Sequence, residues 1–259
     1  MYILFILGCL ISIHLLKIPT EVFLIKIGVD DILASLIAGT LPVTIITVIS
    51  IWFIRSKQYI RELIDITSFK TKKFPFVIIS ILLFGIVAIN SYNSLPELNV
   101  VIKFFFLTKY ILAGISEELV FRVIILFYFL DLLKGKKIKA VLISSLIFGL
   151  MHFINYFKVW DFELVFSQVI FAFAMGCFFA GLFLKTENIY AVALIHILFN
   201  LGFTNHEELI PVEDTISIME QSRTIDSHIT GWVIFGILLL TGLLLSKSAN
   251  FSFSKHPMK

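Results

Sequence analysis

Residues 32–54 read ILASLIAGTLPVTIITVISIWFI and contain no charged side chain. Roughly 20 consecutive apolar residues let an α-helix cross the hydrocarbon core of a bilayer, because each residue advances the helix by about 1.5 Å. A membrane-spanning β-strand needs only about 9–11 residues. The stretch is therefore typical of a transmembrane helix and is too long for a barrel strand.

Seven further apolar stretches lie on either side of this one. They are at about 1–16, 75–94, 104–130, 138–157, 164–184, 189–204 and 229–246. The composition agrees with this pattern, since 59% of the residues are hydrophobic and only 15% are charged, whereas soluble domains carry about 25% charged residues. We therefore predict an all-α, polytopic membrane protein with about eight transmembrane helices, forming a single integral membrane domain over residues 1–259.

Lysine and arginine are distributed unevenly between the connecting loops. Fourteen lie on one side of the predicted membrane, and five lie on the other, namely Lys17, Lys26, Lys103, Lys158 and Arg223. Because cytoplasmic loops carry the excess of positive charge, we predict a multi-pass protein of the cell membrane with both termini in the cytoplasm. The last external loop is acidic and has a short amphipathic segment near residues 212–219.

The net charge of +3 is small, and no basic cluster is interleaved with aromatic residues. The chain is therefore not expected to bind nucleic acid. The lipid bilayer is its expected surroundings, and the sequence leaves the oligomeric state open.

The fourth apolar stretch contains E-E-L-V-F-R at residues 117–122. One charge at the bilayer centre costs roughly 2.5–3.5 kcal/mol on insertion scales, so such residues usually serve a function. Glu118 and Arg122 are four residues apart and share a helical face, and we predict that they form a structural ion pair. Glu117 points about 100° away and is left without a local partner, which makes it the better candidate for a general base. A charge-paired contact between spans is the alternative.

Two histidine motifs lie in later stretches. Residues 148–152 read F-G-L-M-H, so that Phe148 and His152 share a face, and Gly149 leaves room for another helix or a substrate. Residues 196–200 read H-I-L-F-N, so that His196 and Asn200 share a face. Either motif alone also fits a packing or interhelical hydrogen-bonding role. Five ionisable groups and one amide in apolar surroundings favour a functional site instead.

The motifs E-E-x-x-x-R, F-x-x-x-H and H-x-x-x-N occur in this order, each in a separate stretch between about 104 and 204. This set resembles the CAAX protease and bacteriocin-processing (CPBP) family, which includes type II CAAX prenyl endopeptidases and the Abi proteins. The resemblance implies an eight-helix intramembrane endopeptidase, a hydrolase often called a metalloprotease, that cuts peptides near the bilayer. The catalytic residues that it implies are Glu117, Glu118, Arg122, His152, His196 and Asn200.

The resemblance also implies a role for each motif. Glu117 and His152 would activate the attacking water, Arg122 would orient both glutamates, and His196 and Asn200 would stabilise the oxyanion or help to hold a metal. If zinc is bound, His152 and His196 are its expected ligands, and a metal-free glutamate mechanism is equally open. The residue types suit this chemistry, because a glutamate can move a proton between water and a leaving amine and N–H groups can meet a developing oxyanion.

Three classes of function fit these observations. The first is a peptidase that acts on a peptide or a membrane protein, such as a leader, pheromone or bacteriocin-type peptide. The second is a non-catalytic immunity or scaffold protein. The charged residues within the spans argue against this class, because a pure scaffold has no need of side chains that cost free energy to insert into the membrane. The third is a transporter or proton relay, which also uses intramembrane Glu, Arg and His. The sequence shows no repeated halves of the kind many transporters have.

Overall fold

The structure is a computed structural model that describes residues 2–56, 74–93, 98–203 and 225–251. These residues form α-helices with short helical turns between them and include no strand. The principal helices are α1 (Tyr2–Lys26), α2 (Asp31–Ser56), α3 (Phe74–Asn93), α4 (Val100–Glu118), α5 (Leu126–Leu132), α6 (Lys137–Met151), α7 (Tyr156–Val159), α8 (Phe162–Thr186), α9 (Ile189–Phe203) and α10 (Ile225–Ser248). A π-helical turn, Leu119–Ile125, joins α4 to α5, and a 3-10 turn, His152–Asn155, joins α6 to α7.

The predicted all-α membrane architecture is confirmed. Each of the eight apolar stretches coincides with a helical segment, the fourth being the continuous run α4–π turn–α5. Among the described residues, four helices are long and apolar enough to cross a membrane, namely Asp31–Ser56, Lys137–Asn155, Phe162–Thr186 and Thr230–Ser248. Two shorter apolar helices are Val77–Asn93 and Ile189–Gly202. The amphipathic segment expected near 212–219 and most of the basic loop expected at 55–74 lie outside the described residues.

The first helix is longer than the sequence predicts. It was expected to end near residue 16, with Lys17 and Lys26 in a loop, but α1 continues through Pro19 to Lys26. It stops at Gly28, which adopts a left-handed φ of 90°. The Gly28 N–H donates to the Ile25 carbonyl at 2.9 Å and the Val29 N–H to that of Leu24 at 3.0 Å. This pattern caps the carbonyls at the end of a helix, so the stop signal is the glycine rather than the proline.

The chain divides into two compact units. The described part of the first is residues 2–56, 74–93, 98–120 and 193–203. Here α2 packs against α1 and α4, and Leu36 and Phe106 form the centre of a buried apolar cluster. On α9, Gly202 lies so close to Val87 and Ala88 of α3 that an added Cβ would come within 2.9 Å of the Val87 side chain.

The described part of the second unit is residues 121–192 and 225–251. Its central helix is α8, which packs against both α6 and α10. The contact with α10 is made backbone to backbone, because Gly181 and Gly242 face each other with no space for a Cβ on either. The end of α10 is held by two ammonium groups: Lys185 Nζ donates to the Ser248 carbonyl at 2.8 Å, and Lys137 Nζ donates to that of Ala249. Cations at a helix C-terminus complement the helix dipole.

Candidate functional site

Both glutamates lie at the last turn of α4, immediately before the π-helical turn. Such turns occur often at functional sites. His196 projects from the middle of α9, in the same unit. Its Nδ1 lies 2.6 Å from Glu118 Oε1, and its Nε2 lies 3.5 Å from Glu117 Oε2. One imidazole therefore bridges the two carboxylates.

The two sides of this bridge differ in burial and in distance. The Glu118 side chain is fully buried and that of His196 is 4% exposed, whereas the Glu117 side chain is 32% exposed. Because a carboxylate only accepts hydrogen bonds, the short contact is Nδ1–H donating to Glu118. A neutral imidazole with its proton on Nδ1 presents the Nε2 lone pair toward Glu117. The arrangement thus has a buried orienting carboxylate on one side and an accessible carboxylate on the other.

A glycine on α4 allows the short contact to form. A Cβ built on Gly114 would lie 2.7 Å from Ile197 Cγ1 and 3.3 Å from the Ile197 backbone nitrogen. Gly114 is one turn before Glu118, and Ile197 follows His196. The absent side chain therefore lets α4 and α9 approach where the carboxylate and the imidazole meet. The sequence analysis did not single out Gly114, since one glycine in an apolar run gives no sign of what it faces.

Asn200 also belongs to the first unit. It lies one turn beyond His196 on α9 and is partly buried. The first unit therefore contains four of the six predicted catalytic residues, and three of them, Glu117, Glu118 and His196, are in mutual contact through the imidazole.

Arg122 belongs to the second unit, where aromatic rings enclose its guanidinium. The Arg122 Cζ atom lies 4.7 Å from the centre of the Phe148 ring and 5.4 Å from that of Phe179, and the residue is 1% exposed. Cations are attracted to the face of an aromatic ring within about 6 Å. We call Phe148 and Phe179 the aromatic clamp. Phe179 on α8 was not anticipated, because it belongs to none of the motifs.

His152 begins the 3-10 turn at the end of α6. Its Nδ1 lies 3.0 Å from the Phe148 carbonyl oxygen, and its ring meets the Phe148 ring edge to face at 5.0 Å between centroids. Since a carbonyl can only accept, Nδ1 carries the proton and the Nε2 lone pair is available in the neutral ring. As expected for Gly149, a neighbouring helix comes close, because a Cβ there would lie 2.8 Å from the Val169 carbonyl oxygen of α8.

The structure gives both glutamates a partner on another helix. Glu117 was expected to lack a local partner on its own helix, and the group that it faces is the imidazole of His196 on α9. The Nδ1 atom of the same imidazole makes the short hydrogen bond to Glu118, and the ion pair predicted between Glu118 and Arg122 stays a prediction. Local spacing along one helix does not reveal a partner that a distant helix supplies.

No three His, Cys, Asp or Glu side chains in the described part of the chain converge in a way that could hold a metal ion. Glu117 and His196 Nε2 provide two adjacent donors, and structural and catalytic zinc sites use at least three protein ligands. Zinc binding through His152 and His196 stays a prediction, and the steps proposed below are those of the chain's own acids and bases.

A comparison with protein families bears directly on this site. Residues 99–202 match the family described as type II CAAX prenyl endopeptidase Rce1-like. The match covers 104 of the 259 residues. It agrees with the resemblance inferred from the three motifs, and the matched segment includes all six predicted catalytic residues. At the level of the family, the match supports a membrane protease of the CAAX type. No curated protein and no solved structure matches the chain.

Proposed function

We propose that the protein is an intramembrane endopeptidase that hydrolyses a peptide bond in peptide or membrane-protein substrates, with Glu117 as the general base. The observation that carries this proposal is the bridging imidazole, which places a partly accessible carboxylate beside a histidine oriented by a buried carboxylate. The Rce1-like family match supports the reaction class.

In the proposed reaction, Glu117 takes a proton from a water molecule while the water oxygen attacks the carbonyl carbon of the substrate. The tetrahedral intermediate then collapses, the C–N bond breaks, and the proton passes to the leaving amine. His196 assists because its Nε2 can share the proton held by Glu117, and Glu118 keeps the imidazole in the required tautomer. General acid–base catalysis of this kind contributes about 10²–10⁴-fold to the rate.

The other motif residues have supporting roles in this proposal. Asn200, one turn beyond His196, supplies an amide N–H for the oxyanion, as the family resemblance implies. His152 has its Nδ1 proton engaged by the Phe148 carbonyl, so that Nε2 is the nitrogen able to accept a proton or position water. Arg122, whose guanidinium is held by the aromatic clamp, keeps in this proposal the orienting role that the family resemblance implies.

A proton relay is the second candidate function. An imidazole between two carboxylates can pass a proton from one side to the other, and intramembrane acids and histidines are typical of such relays. The two functions make different demands, since a relay needs no peptide substrate and must carry protons across a sealed membrane.

The test is a cleavage assay on the purified protein in detergent with a quenched fluorescent peptide library. We expect the wild type to cleave, and Glu117→Gln and His196→Ala to be folded but inactive. Glu163→Gln, an exposed glutamate on α8, is the matched control and should remain active. Equal cleavage by all four proteins would exclude Glu117 as the base. Proton flux into proteoliposomes that Glu117→Gln abolishes, without any cleavage, would instead favour the relay.

A further inference from the structure

The 3-10 turn that begins at His152 is fastened to α8 by an apolar contact and by a polar one. The Phe153 ring stacks on the Phe162 ring, with 6.3 Å between the centroids. The Asn155 Nδ2 atom donates a hydrogen bond to Gln168 Oε1 at 2.9 Å. The stacked rings hold the turn against α8, whereas the hydrogen bond joins two polar side chains that have no part in the proposed reaction. We call Asn155 and Gln168 the amide pair.

The amide pair has hydrogen-bonding capacity beyond its own contact. Each side-chain amide carries two N–H groups and a carbonyl oxygen, and the contact uses one N–H of Asn155 and one lone pair of Gln168. Asn155 therefore keeps an acceptor, and Gln168 keeps donors. Reversing both amide groups exchanges the two roles and leaves the same combination. Gln168 is exposed and Asn155 is half-buried, so a ligand can reach both.

The amide pair lies at a largely apolar part of α8. Gln168 is six residues beyond the first residue of this helix, about 9 Å along its axis, and the nearby Phe166 side chain is 44% exposed. An amide in apolar surroundings is costly unless its hydrogen bonds are made. An extended peptide in an apolar layer has the same need, because its backbone N–H and C=O groups find no water there. Peptide backbone is therefore a ligand whose donors and acceptors match those of the amide pair.

The spacing between His152 and Asn155 matches the repeat of an extended chain. The two residues are three positions apart in the 3-10 turn, and side chains at this spacing lie one above the other, about 6 Å apart along the axis. In an extended chain, alternate residues present their N–H and C=O groups to the same side and are about 6.6 Å apart. A peptide whose reacting carbonyl lies beside His152 therefore brings the backbone groups of the second residue along to Asn155.

We propose that the amide pair binds the main chain of an extended substrate segment two residues from the bond that is cut. The backbone N–H of the substrate donates to the free amide carbonyl of one member, and the backbone C=O accepts from an N–H of the other. This inference rests on the proposed peptidase function and adds two positioning residues to it. Because only backbone groups are bound, the contact orients the peptide and does not select its sequence.

The experiment uses backbone esters, which replace one N–H of the peptide by an oxygen atom and so remove one donor. The probe is the library peptide that the Glu117→Gln protein binds most tightly, relabelled for fluorescence anisotropy and prepared with an ester at each position in turn. Mass spectrometry of the wild-type reaction locates the cut. We expect the ester two residues from this bond to weaken binding about fivefold, as for the loss of one neutral hydrogen bond.

Variants of the amide pair should abolish that effect. In the Glu117→Gln background, Asn155→Leu and Gln168→Met should each weaken binding of the parent peptide about fivefold, and the sensitive ester should cost nothing more in the variant that removes its acceptor. With Glu117 intact, the same substitutions should raise KM and leave kcat within about twofold, because uniform binding is lost. The matched control is Ser167→Ala, beside Gln168 on α8, which should change neither quantity.

The outcomes separate the two proposals. Cleavage with every ester effect unchanged in both variants leaves the peptidase function in place and overturns the role of the amide pair. An ester effect that depends on the pair, without cleavage by the wild type, keeps the binding site and overturns the peptidase. A lower melting temperature in both variants, with equally weaker binding of every peptide, shows that the pair only holds the turn, and this overturns the proposal. Binding of no peptide rejects the site as well.

Discussion

The Nδ1 atom of His196 lies 2.6 Å from Oε1 of Glu118, a hydrogen bond between two buried side chains from helices 78 residues apart in sequence. It leaves Nε2 of the imidazole facing Glu117, so the two adjacent glutamates meet different nitrogens of one ring. In the proposed mechanism they have different tasks: Glu118 orients the histidine, and Glu117, which is 32% exposed, is the general base.

These tasks predict different defects in the two glutamine variants. Glu117→Gln should lower kcat by about 10²–10⁴-fold, because the general base is removed. Glu118→Gln should lower it by about 10–100-fold, as for an orienting partner behind a functional histidine. The measurement is kcat and KM for peptide cleavage, with Glu163→Gln as the control. A larger loss in Glu118→Gln than in Glu117→Gln would reverse the assignment.

The close approach of α4 and α9 at Gly114 makes a second prediction. Gly114→Ala should reduce cleavage and destabilise the fold by about 1–3 kcal/mol, since the added methyl group overlaps Ile197. Adding Ile197→Ala should restore part of both losses, because it removes the overlapping atoms. Gly85→Ala is the control, as its Cβ would meet nothing within 4 Å. Activity and thermal unfolding would be measured for five proteins: the wild type, Gly114→Ala, Ile197→Ala, the double variant and the control. If the losses of the two single variants simply add in the double variant, the steric overlap is not their cause.

The aromatic clamp on Arg122 predicts that the stability of the protein depends on the electron density of the Phe179 ring and not only on the size of that ring. Stepwise fluorination of Phe179 withdraws charge from the face of the ring and should weaken a desolvated cation–π contact worth about 2 kcal/mol. The melting temperature in detergent should fall with each added fluorine. The same series at Phe178, its neighbour on α8, is the control and should show no trend. A matching trend at both positions would indicate packing rather than charge.

The glycine contact between α8 and α10 predicts that a side chain added at Gly242 destabilises the protein. Gly242→Ala would force a methyl group against the backbone of Cys177 and Phe178, which no rotamer change can relieve. We expect a cost at or above the upper end of the about 1–3 kcal/mol typical of overpacking, seen as a lower melting temperature. Gly236→Ala on the same helix should be neutral, because a Cβ there would meet nothing within 4 Å. Equal melting temperatures for both variants would show that the helices separate easily.

The lysine contacts at the end of α10 bear on topology. Lys137 and Lys185, which the distribution of charge assigns to the cytoplasm, both reach residues 248–249. We therefore expect the segment after α10 to be cytoplasmic, and a green fluorescent protein fused there to be fluorescent. An alkaline phosphatase fusion at the same point should be inactive. Active phosphatase would place these three segments on the outer side.

The helices could be predicted because an apolar run of sufficient length is a property of neighbouring residues. The six candidate residues were also visible, since ionisable groups are conspicuous among Ile, Leu and Phe. The contacts that organise them were not. The short hydrogen bond to Glu118 comes from α9, Phe179 comes from α8, and the importance of Gly114 depends on the presence of Ile197 opposite it. Each of these depends on which helices become neighbours, and helical periodicity within one span carries no information on that choice.

The end of α1 was also misplaced. The apolar run was expected to end near residue 16, whereas the helix continues through Pro19 and ends where Gly28 adopts a positive φ. Pro42 likewise lies inside α2 without ending it. In an apolar helix the position of the next glycine was the better guide to the boundary.

The paired glycines Gly181 and Gly242 have a consequence for how this protein can be divided. The segment that matches the Rce1-like family ends at residue 202, yet the face of α8 that bears Gly181 is covered by α10, which begins at residue 225. A fragment cut at the limits of the family match would leave bare backbone on its central helix with only lipid to cover it. The chain should therefore not be truncated at the end of the family match, and a minimal functional fragment has to retain α10.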